Sequence, residues 1–122
     1  MIQFSNKYDL EERTAKFSEE LIKFCKGIKE DNISKPIINQ LVRSGTSIGA
    51  NYCEANNASS RKDFQNKIFI CKKEAHETKY WLRTLSTCCP DKAEELRKIW
   101  KETQELTMIF QKIINSLKDK KD

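Results

Sequence analysis

Apolar residues recur every three or four positions through four stretches of the chain, the period of helices that bury one side. The first, 8–29, puts Leu10, Thr14, Phe17, Leu21, Phe24, Cys25 and Ile28 on one stripe. The second, 35–57, carries Ile37, Ile38, Leu41, Val42, Gly45, Ile48, Gly49, Tyr52 and Cys53 on a broad face, with Ser34 and Pro36 as its predicted cap and first turn. The third, 61–87, opens on a capping pair, Ser60 and Asp63, and its stripe is Phe64, Ile68, Cys71, Ala75, Thr78, Leu82 and Leu85. After a short loop at 86–89, Pro90 opens the fourth, 90–118, with Ala93, Leu96, Ile99, Trp100, Thr103, Leu106, Phe110, Ile113, Ile114 and Leu117 facing one way. A frayed tail is expected from Lys118.

Four amphipathic helices joined by short loops predict an all-α fold, an antiparallel up-down-up-down four-helix bundle. At 122 residues, with 38% hydrophobic and 34% charged, the chain is sized for one domain spanning 1–122. Three glycines and two prolines leave few turns for an all-β alternative.

Two departures from simple amphipathicity change this picture. Gly45, Gly49 and Cys53 fall four apart, a row along which a neighbouring helix can approach closely. Each interior glycine costs about 1 kcal/mol against alanine, which close packing would offset; a break at 44–46 is the alternative. From Pro36 to Ser60, moreover, Arg43 and Glu54 are the only charged residues. The uncharged Asn39, Gln40, Ser44, Thr46, Ser47, Ala50 and Asn51 suit a helix covered on both sides, the alternative being an exposed helix of low charge.

The third helix is apolar in several directions. Arg61, Gln65, Lys72, His76, Lys79 and Arg83 share one side, flanked by Phe69 and Tyr80, while Ile70 and Trp81 point elsewhere. Self-association explains several buried faces; aromatics beside a basic stripe also suit RNA, whose bases stack on rings while phosphates meet Lys and Arg.

The formal charge of +5 favours a phosphate-rich partner without requiring one. The opening residues 1–12 lack a basic segment followed by an apolar run, and no run of roughly 18 apolar residues occurs, so a cytoplasmic protein with no membrane partner is expected. Five cysteines without a CxxC pair, and one histidine, indicate neither a disulfide framework nor a zinc site. Cys25, Cys53 and Cys71 are expected as small core residues, whereas Cys88 and Cys89 sit in a loop, too close for an ordinary bridge. A di-metal carboxylate bundle needs Glu-x-x-His pairs, but Lys73 stands three before His76, and Glu74 and Glu77 fall away from the apolar stripe. With no GxSxG, P-loop or HExxH either, neither catalysis nor a metal or other cofactor is expected.

The segments LVRSGTSIGANYCEANNASSRKDF at 41–64 and KKEAHETKYWLRTL at 72–85 resemble the four-helix-bundle proteins encoded by intervening sequences within bacterial 23S ribosomal RNA genes, the S23-type proteins. That family is similar in fold to the accessory variability protein of diversity-generating retroelements, a basic pentameric bundle that associates with nucleic acid and a reverse transcriptase. The resemblance implies an antiparallel bundle, a homopentamer and RNA as a partner. Basic positions matching the family's motifs are Arg43, Arg61, Lys62, Lys72, Lys73, Lys79 and Arg83. Arg61, Lys72, Lys79 and Arg83 are the expected phosphate contacts. Arg43, isolated on its low-charge helix, is expected to be buried at a subunit interface with Ser47, Phe69, Ile70, Tyr80 and Trp81. The expected function is therefore an oligomeric, RNA-binding bundle without base-specific reading; the alternatives are a protein-interaction scaffold and, least favoured, an enzyme with an unfamiliar site.

Overall fold

The computed structural model describes residues 9–119, side chains through Lys118. The predicted helix start at residue 8 and the end of the predicted tail, 120–122, lie outside the described residues. Four helices form, α1 (Leu10–Lys26), α2 (Ser34–Asn56), α3 (Arg61–Cys88) and α4 (Ala93–Asp119), with a 3-10 turn at Pro90–Lys92 leading into the last.

Caps set several of these ends. The Asp9 carboxylate accepts from the Glu12 N–H at 3.2 Å and begins α1. The chain leaves that helix at Gly27, earlier than the predicted 29, although Ile28 still packs on the core. The start of α2 corrects the expected cap. Ser34 is the first helical residue, and Asp31 does the capping: its Oδ1 accepts from the Ile33 and Ser34 N–H groups at 2.9 and 2.8 Å, while Ser34 Oγ accepts from the Asp31 N–H at 2.9 Å. Ser60 caps α3 as expected, its Oγ accepting from the Asp63 N–H at 3.0 Å. The loop predicted at 86–89 is shorter, because α3 continues through Cys88 and Cys89 alone precedes the 3-10 turn. Lys118, expected in a frayed tail, is still helical.

Side-chain pairings establish that successive helices run antiparallel. Thr14 and Leu21 of α1 meet Gly49 and Gly45 of α2. Thr78 of α3 accepts from the Ser44 hydroxyl of α2 at 3.0 Å, and Arg61 at the start of α3 reaches the Leu117 carbonyl near the end of α4 at 2.8 Å. The circle closes through Arg13 of α1, whose guanidinium donates to Glu102 at 2.7 and 2.9 Å and to Glu105 at 2.7 Å on α4. The core is the predicted set of stripes, with Leu21, Leu41, Ile48, Ile68, Leu85, Leu106 and Phe110 fully buried. Each such Leu, Ile or Phe contributes about 1.5–3 kcal/mol through burial.

No break occurs at 44–46; α2 is continuous and the glycines serve close packing. A Cβ on Gly45 would stand 2.2 Å from Leu21 Cδ2, and one on Gly49 would stand 3.2 Å from Thr14 Cβ. Cys53, the third member of the row, is exposed rather than core. The threonines on the stripes bury without penalty because each hydroxyl donates to its own helix: Thr14 to the Leu10 carbonyl, Thr78 to Glu74, Thr103 to Ile99.

Two further positions depart from expectation. Glu74, placed by its spacing away from the apolar stripe, is only 7% exposed, and Trp100, placed on the stripe, is among the exposed large side chains. Among the described residues no helix is long and apolar enough to cross a membrane.

Candidate nucleic-acid interface

α3 and α4 lie side by side, and each turns a carboxylate-free arc toward the groove between them. On α3 the arc is Arg61, Gln65, Lys72, His76, Lys79 and Arg83; on α4 it is Ala93, Arg97, Trp100, Gln104 and Gln111. At 3.6 residues per turn each set falls within an arc of about 60°. Acidic residues of α4 lie elsewhere: Glu102 and Glu105 are engaged by Arg13 on the α1 side.

The four expected phosphate contacts differ in how free they are. Arg61 is engaged, its guanidinium donating to the Leu117 carbonyl and closing the end of α4. Lys79 is also held: its ammonium donates to Gln104 Oε1 and sits 5.3 Å from the Trp100 ring centroid, a cation–π contact. Lys72 is half-buried and Arg83 exposed. The ion pairs among the described residues use Arg13, Arg43, Lys67 and Lys73, so neither Lys72 nor Arg83 is neutralised by a carboxylate. His76, between the two lysines, has its pKa held below the ordinary 6.5 by partial burial first and by Lys79 and Lys72 next. All three influences favour the neutral imidazole.

The sequence reading missed half of this groove. Arg97 is exposed and uncompensated, and with Trp100, Leu82, Arg83, Ser86, Ala93 and Leu96 it lines an open cavity of about 430 Å³ where α3 ends and α4 begins. Trp100 was absorbed into the apolar stripe because its position lies at the stripe's edge. The signal that would have found the pair is the run Ala93, Arg97, Trp100, Gln104, Gln111, a carboxylate-free arc in a helix where acids are otherwise common.

The residues expected at a subunit interface do not share one surface: Arg43, Ile70 and Trp81 lie toward the α2 side of α3, whereas Phe69 and Tyr80 flank the basic stripe. Phe69 and Tyr80 are 41% and 59% exposed; Ile70 and Trp81 are half-buried. The Trp81 indole packs edge-on against Tyr80 with centroids 4.9 Å apart and donates to Glu77 Oε2 at 3.0 Å. Arg43, expected to be buried, has a side chain 44% exposed within the chain and is held by α3: it pairs with Glu74 at 3.3 Å and with Glu77, and also donates to Gln40 at 3.0 Å. The hydrogen bond from Trp81 and the Arg43 guanidinium together hold the Glu77 carboxyl below its usual range. The small polar side chains of α2 are satisfied by their own helix, Thr46 donating to the Val42 carbonyl, Ser47 to Arg43 and Asn51 to Ser47.

The thiols offer no comparable site. Burial pushes Cys25 up to about 11 and Cys71 up to about 12. Among the described residues no group of three or more His, Cys, Asp or Glu side chains is placed to hold a metal ion.

The family model described as 23S rRNA-intervening sequence protein matches residues 6–117. Among solved structures, the chain is similar to a protein of unknown function from the S23 ribosomal protein family of Bacteroides thetaiotaomicron. The two are 34% identical with a TM-score of 0.78, over 86% of this chain and 97% of that one. No curated protein matches the chain.

Proposed function

We propose that this chain, which belongs to the 23S rRNA-intervening sequence protein family, is a non-enzymatic, oligomeric helical bundle that binds structured RNA through the basic groove between α3 and α4. The observation that carries this proposal is the charge of that groove. Lys72, Lys79, Arg83 and Arg97 line it without one carboxylate among them. Like charges gathered on one face destabilise the free protein, and a phosphate backbone relieves them while releasing counterions. Exposed Trp100 adds a ring on which a base can stack. The role is binding rather than turnover, since His76 stands among cations instead of beside a nucleophile and an orienting acid.

Oligomerisation belongs to the other face. Half-buried Ile70 and Trp81 lie next to an α2 face that is nearly uncharged and whose hydroxyls are already bonded. Such a face can be covered by a second copy without stranding polar groups. A homopentamer, the assembly implied by the resemblance to the accessory variability protein, uses this face and leaves the α3–α4 groove open.

The test is fluorescence anisotropy of a labelled, structured 23S rRNA fragment titrated with the protein across a salt series. With three to five phosphates neutralised, log K falls against log salt with a slope of about −2 to −4. Replacing Lys72, Lys79 and Arg83 together by Glu abolishes binding and leaves the oligomeric mass unchanged. Survival of binding in the triple variant refutes the site. Absence of binding by the natural protein at low salt leaves the protein-interaction scaffold, for which exposed Phe69 and Tyr80 would be the anchors.

A further inference from the structure

The cavity where α3 ends and α4 begins has a composition that a simple phosphate-binding surface does not require. Arg83 on α3 and Arg97 on α4 line it together with Trp100 and Ala93, its exposed apolar side chains, over Leu82 and Leu96 beneath. Leu82 and Leu96 are core residues, 1% and 4% exposed. At about 430 Å³ the cavity lies within the range of small-ligand sites, roughly 300–1,000 Å³. Two guanidiniums flank it, neither of them in an ion pair among the described residues. The Ser86 hydroxyl on its rim is already committed to the Arg83 carbonyl at 2.6 Å.

That combination selects a ligand with a flat apolar part and an adjacent anion. The exposed indole is suited to a ring, and the planar forks of two arginines are suited to phosphate oxygens. Lys79 lies over the Trp100 ring at 5.3 Å, placing a further cation at the cavity edge, within reach of the next phosphate along a strand. A polar sugar or a peptide carboxylate would leave the indole unused, and an apolar ligand would leave both guanidiniums unmatched.

We propose that this cavity is a nucleotide site, which takes one unstacked base against Trp100 and Ala93 with its phosphate between Arg83 and Arg97. The inference rests on the RNA-binding proposal above and sharpens it: the preferred RNA carries an unpaired nucleotide, a bulge or loop, rather than continuous duplex. No free base-edge reader lines the cavity, so all four bases enter, purines several-fold better than pyrimidines because they stack over more area.

The test uses the full chain with Trp81→Phe, so that Trp100 is the sole tryptophan. AMP, adenosine and inorganic phosphate are each titrated against indole fluorescence. AMP quenches Trp100 and binds at least tenfold more tightly than either fragment. Arg83→Ala and Arg97→Ala each weaken AMP about tenfold, and Trp100→Leu, followed by calorimetry, weakens it by at least as much. In parallel, a hairpin RNA with one bulged adenosine binds the natural protein about tenfold more tightly than the same hairpin fully paired, and Trp100→Leu removes that preference. The inference is overturned if AMP binds no better than phosphate, or if bulged and paired hairpins bind alike. A protein that still binds both hairpins with a steep salt dependence then retains the RNA-binding groove and loses only the nucleotide site; one that binds neither hairpin loses both.

Discussion

Glu77 joins two side chains, Trp81 and Arg43, that the sequence could list but not connect. The Trp81 indole N–H and the Arg43 guanidinium both converge on its carboxylate, and both favour the charged form, so its folded pKa lies below the ordinary 4.5. A depressed carboxylate contributes stability that is complete above its unfolded value and lost as pH falls through its folded one. Between about pH 5 and pH 3, therefore, the urea midpoint of the natural protein falls more steeply than that of Glu77→Gln, and the two curves converge in acid. A gap that stays constant across this range would contradict the pairing. The cysteines make a second residue-scale case. Cys53 and Cys88 are exposed while Cys25, Cys71 and Cys89 are buried with raised pKa values. Iodoacetamide at pH 8 should label the first two rapidly and the other three only on unfolding, as read by mass spectrometry; rapid labelling of Cys71 would mean that the core is open. Sequence spacing placed Cys25 and Cys71 correctly and Cys53 wrongly. Cys53 continues the glycine row by one turn and lies beside Glu11 and Ala15 of α1, yet its side chain is exposed, because it sits at the edge of the apolar face of α2 rather than within it.

At the scale of elements, the four stripes were legible because burial of a 3.6-residue repeat outweighs every other local preference here. Helix ends were less so. Gly27 ends α1 although Ile28 continues the apolar period, because Ile28 can reach the core from the turn. Asp31 rather than Ser34 caps α2, since the two form a reciprocal pair whose direction only the backbone decides. The glycine row lets α1 pack tightly on α2, and it gives a sharp prediction. Gly45→Ala gains about 1 kcal/mol of helix propensity, but its Cβ collides with Leu21 Cδ2, and overpacking costs about 1–3 kcal/mol. The single variant is thus destabilised by about 1 kcal/mol. In a Leu21→Ala background, itself about 2–5 kcal/mol less stable, the collision is gone and Gly45→Ala becomes stabilising. A double-mutant cycle by urea denaturation reads this inversion; equal effects of Gly45→Ala in both backgrounds would mean that α1 does not pack on Gly45.

On the whole molecule, the bundle separates its surfaces by chemistry. The α1–α4 seam is tied by Arg13, Glu102 and Glu105. The α2–α3 face is low in free charge and carries the half-buried Trp81, and the α3–α4 groove is cationic without carboxylates. The basic stripe of α3 was legible from the sequence, yet two of its four expected phosphate contacts, Arg61 and Lys79, prove to be engaged within the chain. The complementary half, Arg97 and Trp100, escaped because a helix-by-helix reading assigns each residue to its own stripe. Only the pairing of α3 with α4 shows that two half-sites make one groove.

The most direct test of that groove is to cross-link the assembled protein to a 23S rRNA fragment carrying 4-thiouridine and to map the modified peptides by mass spectrometry. Cross-links confined to peptides spanning Lys72 to Arg83 and Arg97 to Gln104 are the predicted result. Cross-links concentrated on α1, or on the α2 face around Ser47, would contradict the assignment of the groove as the nucleic-acid interface.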